Sequence, residues 1–334
     1  MDSEPENITM TVSDTVVDEP VVEPVIEPVV EPVIEPVIEP VIEPVVEPVN
    51  EPVVEPVIEP VVEPVVEPVN EPVIEPVVEN REVNPKLCFI VPYRDRPEQL
   101  AKFKTHMATI LEHLNPSEYT INYIHQTDKR AFNRGAIKNI GFLYIKNKYP
   151  NDYKNITLVF NDVDTMPVRK GLIDYQTITG TIKHFYGFRH TLGGIFSIKA
   201  ADFEKINGFA NFWTWGFEDN IINDRAVYGG MSIDRSQFYP YLDSEHITQI
   251  TDSTYRTVNS EEFRRYTMKT KEGISNISKL VYEEDPNTGF VNVRTFDTGT
   301  IHRVEFNREH DLRNGPRPFN SIQRSHRATM GMII

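Results

Sequence analysis

The stretch Ile156-Thr157-Leu158-Val159-Phe160-Asn161-Asp162-Val163-Asp164 runs from an unbroken apolar segment straight into two carboxylates. Its first half, Ile156 to Phe160, is rich in β-branched and aromatic side chains and reads as a strand buried on both faces. Upstream, Asn133 to Lys148 carries Ile137, Ile140, Leu143 and Tyr144 at helical spacing. Before that helix, Tyr119 to Ile124 reads as a strand. Pro97, Leu100, Phe103, Met107, Ile110, Leu111 and Leu114 form the stripe of another helix, with proline in its first turn. Leu87-Cys88-Phe89-Ile90-Val91 reads as the first strand. Downstream, Gly193 to Ile198 reads as a strand, Phe217-Glu218-Asp219-Asn220 opens a helix to about Tyr228, and Phe290 to Phe296 alternates like a strand. Strands alternating with helices predict an α/β fold, a mainly parallel sheet flanked by helices.

Ordered sequence is expected only from about residue 85. From Glu19 to Glu79 the chain repeats Glu-Pro-Val-Val, Glu-Pro-Val-Ile or Glu-Pro-Val-Asn every four residues. Proline at that period removes amide donors and blocks helical turns, so residues 1–84 are expected to be extended or disordered, serving as a spacer or, through the Val pairs, as a repeated docking ligand. The net charge of −16 belongs to this segment: residues 1–84 hold 22 acids and one base, which leaves 28 acids and 33 bases in residues 85–334. A mildly basic folded part suits a small anionic ligand such as a nucleotide diphosphate, and gives no ground for nucleic-acid binding. The single cysteine, Cys88, allows no internal disulfide and reads as a buried strand position. The N-terminus carries acids where a signal peptide needs bases, and no apolar run approaches the roughly 18 residues of a membrane span. A cytoplasmic protein without a membrane span is the expectation, and the low-complexity repeat fits a microbial or large-virus origin.

Open parallel sheets bind ligands beyond the carboxyl ends of their strands, so the polar residues that follow strands are the candidates. Asp162 and Asp164 can jointly face one cation, or split between a cation and a sugar. Arg94 and Arg96, in the turn after the first strand, can clamp a phosphate or lie as a solvated turn. Lys183 and Arg134 are further single cations of the kind a diphosphate engages. Trp213-Thr214-Trp215-Gly216-Phe217-Glu218-Asp219 places both tryptophans beside two acids. Such a segment can stack on a sugar and deprotonate a hydroxyl, or simply pack in the core and cap a helix. Asp243 and His246 are three apart, a spacing that can put both on one metal or leave a hydrogen-bonded surface histidine.

In order and spacing these pieces resemble the β-1,4-galactosyltransferase family, inverting and manganese-dependent enzymes with the GT-A fold. The matching segments are Phe89 to Arg96, Phe132-Asn133-Arg134, Val159 to Asp164, Gly193-Gly194, Ile206-Asn207-Gly208-Phe209, Trp213 to Asp219 and Gly230-Met231-Ser232-Ile233. The resemblance runs from about residue 86 to residue 300. It implies donor and nucleotide contacts at Pro92, Tyr93, Arg94, Arg96, Phe132 and Arg134, with Asp162, Lys183, Gly194 and Trp215 on the donor side. It implies a metal site of Asp164 and His246, with Asp243 where the family has methionine, and catalytic roles for Asp219 as base and Glu218 as a substrate contact. The implied ion is Mn²⁺ or Mg²⁺, since an oxygen ligand in place of sulfur favours hard cations.

The expected function is therefore metal-dependent transfer of a hexose, galactose or a related sugar, from a UDP-sugar donor to a glycan or glycoconjugate acceptor, with inversion. Two rivals are a metal-dependent nucleotide-sugar hydrolase using Asp162 and Asp164, and a non-catalytic glycan-binding or structural module carried on the repeat. The domain plan expected is a repeat segment over 1–84, a GT-A domain over 85–300 and an unassigned C-terminal extension over 301–334.

Overall fold

In the computed structural model residues 84–251, 253–315 and 317–319 are described, so the Glu-Pro-Val repeat and the last fifteen residues lie outside the described part. Strand β1 (Leu87–Tyr93) leads to helix α1 (Pro97–Ile110), β2 (Tyr119–Gln126), α2 (Arg134–Lys148) and β3 (Thr157–Asn161). Then come β4 (Thr165–Pro167), β5 (Thr181–Gly187), β6 (Ile195–Lys199), α3 (Ala200–Lys205) and α4 (Glu218–Tyr228). The chain continues with β7 (Ser232–Asp234), β8 (Tyr239–Pro240), β9 (Ile247–Gln249), β10 (Tyr255–Asn259) and α5 (Ser260–Thr267). It closes with β11 (Ser278–Asp285), β12 (Phe290–Asp297) and β13 (Asn307–Asp311).

The main sheet has the order β11-β12-β2-β1-β3-β6-β5-β7, with β8 also on β5. Its centre is parallel: β12 with β2, β2 with β1, and β1 with β3. Antiparallel pairs join β3 to β6, β6 to β5 and β11 to β12. The alternation of side chains along β1 explains the two layers of helix. Leu87, Phe89 and Val91 pack with Phe103, Met107 and Ile110 of α1, whereas Cys88 and Ile90 pack with Ala136, Ile137 and Ile140 of α2. A β1 that is buried throughout therefore reads as one continuous apolar run. Burial pushes the Cys88 thiol up to about 12, so it is an inert core residue.

Strand β1 runs two residues further than its apolar run, because Pro92 and Tyr93 still pair with Ile124 and His125 of β2. It leaves β3 at Ile90, so the amide that proline lacks has no β3 neighbour to serve. Two short ribbons complete the fold, β4 with β9 and β10 with β13. The second carries the chain past residue 300, where the sequence leaves it unassigned, back onto β10 in antiparallel register. No helix among the described residues is long and apolar enough to cross a membrane.

Candidate active site

Adjacent parallel strands β1 and β3 end at the same edge of the sheet, and the chain treats both exits alike: a short turn carrying charge. After β3, the Asn161 side-chain amide donates to the Asp162 carbonyl (2.9 Å) and the Thr165 carbonyl (2.8 Å), which folds the Asp162-Val163-Asp164 turn back into β4. After β1, Arg96 directs its guanidinium across to Asp164 Oδ2 at 2.7 Å. Helix α2 enters the same edge through Asn133, whose side chain accepts from the Ala136 amide (2.9 Å) and donates to the Asn211 carbonyl (3.1 Å). This cap puts Arg134 in the first turn and Lys138 one turn later on the same side. Phe217, left-handed at φ 73°, starts α4 so that Glu218 and Asp219 are its first two residues.

These exits converge on Arg134. Its Nε and Nη2 donate to the two oxygens of Asp162 at 3.1 and 2.7 Å. Its Nη1 donates to Glu218 at 2.6 Å and to both oxygens of Asp219 at 2.9 and 3.0 Å. Lys138 stands behind, with its Nζ 3.5 Å from Asp219 and 3.8 Å from Asp162. Burial opposes the Arg134 charge, but Asp162, Asp219 and Glu218 overcome it and hold the guanidinium well above its ordinary range. Burial likewise opposes the Asp162 carboxylate, and Arg134 with Lys138 reverses this and keeps its pKa below normal. Glu218 goes the other way: burial first, then the neighbouring Asp219 charge, push its carboxyl up, and its buried Oε2 has no hydrogen-bond partner. Asp164 is raised too, by burial and then by Asp162, with Arg96 working against both. One edge of the sheet thus carries carboxyls of opposite protonation tendency side by side, an arrangement suited to acid–base chemistry.

Gly193 and Gly194 bring the backbone against this cluster. A Cβ on Gly193 would stand 2.5 Å from Asp219 Oδ2, and Gly194 turns at φ 67°, where a Cβ would stand 2.4 Å from the Tyr186 carbonyl. Beneath them the buried His184 ring donates from Nε2 to the Tyr186 and Gly193 carbonyls (3.1 and 3.2 Å), while Nδ1 accepts from Arg235 Nε at 3.2 Å. Burial, and next the Arg235 charge, push this imidazole down to about 4, so it stays neutral.

Asp243 and His246 form a separate pair, with Nδ1 3.0 Å from Oδ1. The imidazole lies flat on Tyr239, ring centres 4.5 Å apart. The β4–β9 ribbon links this pair to Asp164: the Val168 amide donates to the His246 carbonyl and the Ile250 amide to the Asp164 carbonyl, at 2.9 and 2.8 Å. His246 and Asp164 therefore sit at opposite ends of the ribbon, four residues apart in register, on the order of 13 Å of strand. Two carboxylates and an imidazole are a chemically suitable set for manganese or magnesium. Among the described residues, however, no three such side chains stand together as a metal-sized group.

Two family models match this chain, one described as the N-terminal region of glycosyl transferase group 7 over residues 72–173, the other as the N-terminal domain of galactosyltransferase over residues 177–253. Between them they take in more than half of the 334 residues. The chain belongs to glycosyl transferase group 7. It is similar to the xylosylprotein 4-beta-galactosyltransferase of Caenorhabditis elegans, 36% identical over 45% of this chain and 53% of the relative. It is also similar to beta-1,4-galactosyltransferase 7 of Drosophila melanogaster, 27% identical over 63% of this chain and 62% of the relative. The chain thus spans between half and two thirds of these relatives' length. A solved structure of a mutant of the Drosophila enzyme, complexed with manganese, UDP-Gal and xylobiose, aligns with a TM-score of 0.49 at 19% identity, over 66% of this chain and 96% of that one.

Within this group 7 chain the residues singled out from sequence fall into three sets. Arg96, Arg134, Asp162, Asp164, Glu218 and Asp219 share the ion-pair edge, with Gly194 beside it. Pro92 and Tyr93 are buried at the end of β1, Tyr93 edge-on to His125 and Phe290. Arg94 reaches back to the Arg130 carbonyl, Phe132 packs half-buried on the α2 side of the core, and the Trp215 amide bonds to the Thr257 carbonyl at 2.9 Å, leaving its indole half-exposed. Two readings separate from the edge. Lys183 pairs with Asp174 at 2.7 Å, and Asp174 lines a cavity with Lys86 and Leu87 at the opposite end of β1. Trp213, offered by its sequence context to a sugar, is 3% exposed and stacks on Phe296 beneath the Arg130 guanidinium. Conversely, Lys138 joins the edge with a single signal in the sequence, a lysine four residues after Arg134 on the buried side of α2.

Proposed function

We propose that this chain is a metal-dependent glycosyltransferase that moves galactose or a related hexose from a UDP-sugar to a hydroxyl of a sugar acceptor, with inversion. The observation that carries the reading is the Arg134 centre, where a guanidinium gathers Asp162, Glu218 and Asp219 in a chain of glycosyl transferase group 7. The relatives' names support the sugar and the acceptor class: one is a xylosylprotein 4-beta-galactosyltransferase.

In this reading Asp219 is the general base. It accepts the proton of the acceptor hydroxyl while that oxygen forms its bond to the anomeric carbon from the face opposite the diphosphate, which departs with the bonding electron pair. Arg134 fixes the Asp219 carboxylate by two hydrogen bonds, and Glu218, whose carboxyl tends toward the protonated form, can donate to a substrate oxygen. Arg96 and Arg94 face the diphosphate, Pro92, Tyr93 and Phe132 shape the nucleotide side, and the half-exposed Trp215 covers the sugar. Asp164 and the Asp243–His246 pair, which stand at opposite ends of the β4–β9 ribbon, would have to close on one another to hold Mn²⁺ or Mg²⁺, which when bound would neutralise charge on the leaving diphosphate.

The test is UDP release by the full chain from a panel of UDP-sugars with Mn²⁺, with and without simple sugar acceptors. Release from one donor, accelerated by acceptor and lost in Asp164→Ala, is expected. Asp219→Asn should lower transfer about 10²- to 10⁴-fold while donor binding persists. Release indifferent to acceptor would replace transfer with hydrolysis.

A further inference from the structure

Helix α2 buries a complete lysine. Lys138 is 0% exposed, and its ammonium stands 3.5 Å from Asp219 Oδ1, 3.8 Å from Asp162 Oδ1 and 4.6 Å from the centre of the Phe209 ring. Lysine is almost never shielded this fully unless it is paired, and a methionine would fill the same space without giving up hydration. Packing alone therefore does not explain a cation at this position. Arg134 already bonds to all three carboxylates, so its charge is spread over Asp162, Glu218 and Asp219. A donor phosphate beside Arg134 would divide that charge once more without moving the guanidinium, and Lys138 would be the cation behind Asp219 that no ligand shares.

We propose that Lys138 is a positioning residue for Asp219, holding that carboxylate in place as an anion while Arg134 engages the donor diphosphate. The inference rests on the transferase reading, in which Asp219 is the base. The charged and titratable groups facing Asp219 are Arg134 and Lys138 from α2, Asp162 from the turn after β3, Glu218 beside it on α4, and His184 from β5. Asp162 opposes its charge, Glu218 tends toward the protonated form and His184 stays neutral, so the two α2 cations alone favour the anion. Burial, and next the Arg134 charge, push the Lys138 ammonium below its ordinary range, while Asp219, Asp162 and Glu218 work against both; the proton that moves in the reaction is the acceptor's, onto Asp219.

The experiment compares wild type, Lys138→Met, Asp219→Asn and the double variant, all as full chains, for kcat and donor KM against pH and for thermal unfolding. With Lys138→Met, kcat should fall about tenfold or more at mildly acid pH, with donor KM within about twofold. The acid limb of the profile should move to higher pH, because the variant removes a cation 3.5 Å from the base. Lys138→Gln, which keeps a donor but no charge, should move the limb the same way and serves if the methionine variant does not fold. Unfolding gives a reading independent of activity: the midpoint change caused by Lys138→Met should be at most about half as large in the Asp219→Asn background, because the two groups interact directly. If no donor is turned over by wild type, the transferase reading fails while this coupling still decides whether Lys138 anchors Asp219. An unmoved acid limb, or equal midpoint changes in the two backgrounds, overturns the proposal.

Discussion

The Arg134 centre and the Asp243–His246 pair are both candidate ligand sites, yet they are held in opposite ways. Arg134 is tied by five hydrogen bonds to three carboxylates drawn from two separate parts of the chain, with Lys138 behind and the Asn133 cap below. The side chains of the Asp243–His246 pair are held by a local contact across three residues and one stacked ring, with only the His246 backbone tied to β4 through Val168, and Leu242 beside them is left-handed at φ 72° and 70% exposed. A site fixed from several elements is set before any ligand arrives, because no one side chain can move without breaking several bonds. A site fixed locally can rearrange at small cost. On the proposed reading, catalytic geometry would belong to the first region, and adjustment to an ion or donor to the second.

The sharpest way to break this comparison is Arg134→Met. Removing the cation leaves Asp162, Glu218 and Asp219 facing one another with Lys138 alone, and breaking a largely buried pair costs about 3 kcal/mol or more. The loss should be visible in urea unfolding at neutral pH and shrink under mildly acid conditions, where the abandoned carboxylates take up protons. A loss equal at both pH values would mean that Arg134 matters by packing alone. A smaller effect comes from His184, which supports the Gly193 backbone against Asp219. Its folded pKa of about 4 lies below the ordinary 6.5, so the unfolded chain binds a proton the folded chain refuses. Stability on this account is complete above about pH 6.5 and is lost as pH falls toward 4, by about 2 kcal/mol at about pH 5. His184→Gln should be less stable at neutral pH but flatter in its unfolding midpoint through that window.

The same contrast explains what the sequence reveals. The apolar runs of β1, β2 and β3, the stripes of α1 and α2, and charged residues at the strand exits are all local patterns, and the sheet edge follows from them. Asp162 could be singled out because it stands at a strand exit, and Arg134, Glu218 and Asp219 because they open the first turns of α2 and α4. Which charges then pair is a matter of side-chain direction and of partners far along the chain. Lys183 looked like Arg134 in sequence, yet its partner Asp174 arrives from a loop at the other end of β1. Trp213 and Trp215 are two residues apart, and only the contacts of Phe296 and Arg130, 83 residues beyond and before in each direction, decide that Trp213 is core. Lys138 carries no such local mark, because lysine is ordinarily solvent-facing and only carboxylates from other elements close over it here. The C-terminal strands, with short and weakly periodic sequences, take their form from pairing such as β10 with β13.

The weakest expected effect tests the looser region. If the Asp243–His246 pair is a ligand-adaptable element and no part of the fold's framework, His246→Asn should leave the unfolding midpoint of the unliganded protein unchanged, because its broken contacts are a single local hydrogen bond and one stacked ring on the half-exposed Tyr239. It should instead raise the Mn²⁺ concentration needed for half-maximal UDP release about tenfold or more, the scale on which even the outer partners of a metal ligand act. The Mn²⁺-dependent rise in unfolding midpoint should shrink in parallel, which reads the site without turnover. A drop in the unliganded midpoint would make His246 a structural support of the β4–β9 ribbon, and the contrast between a fixed cluster and an adjustable one would no longer separate the two regions.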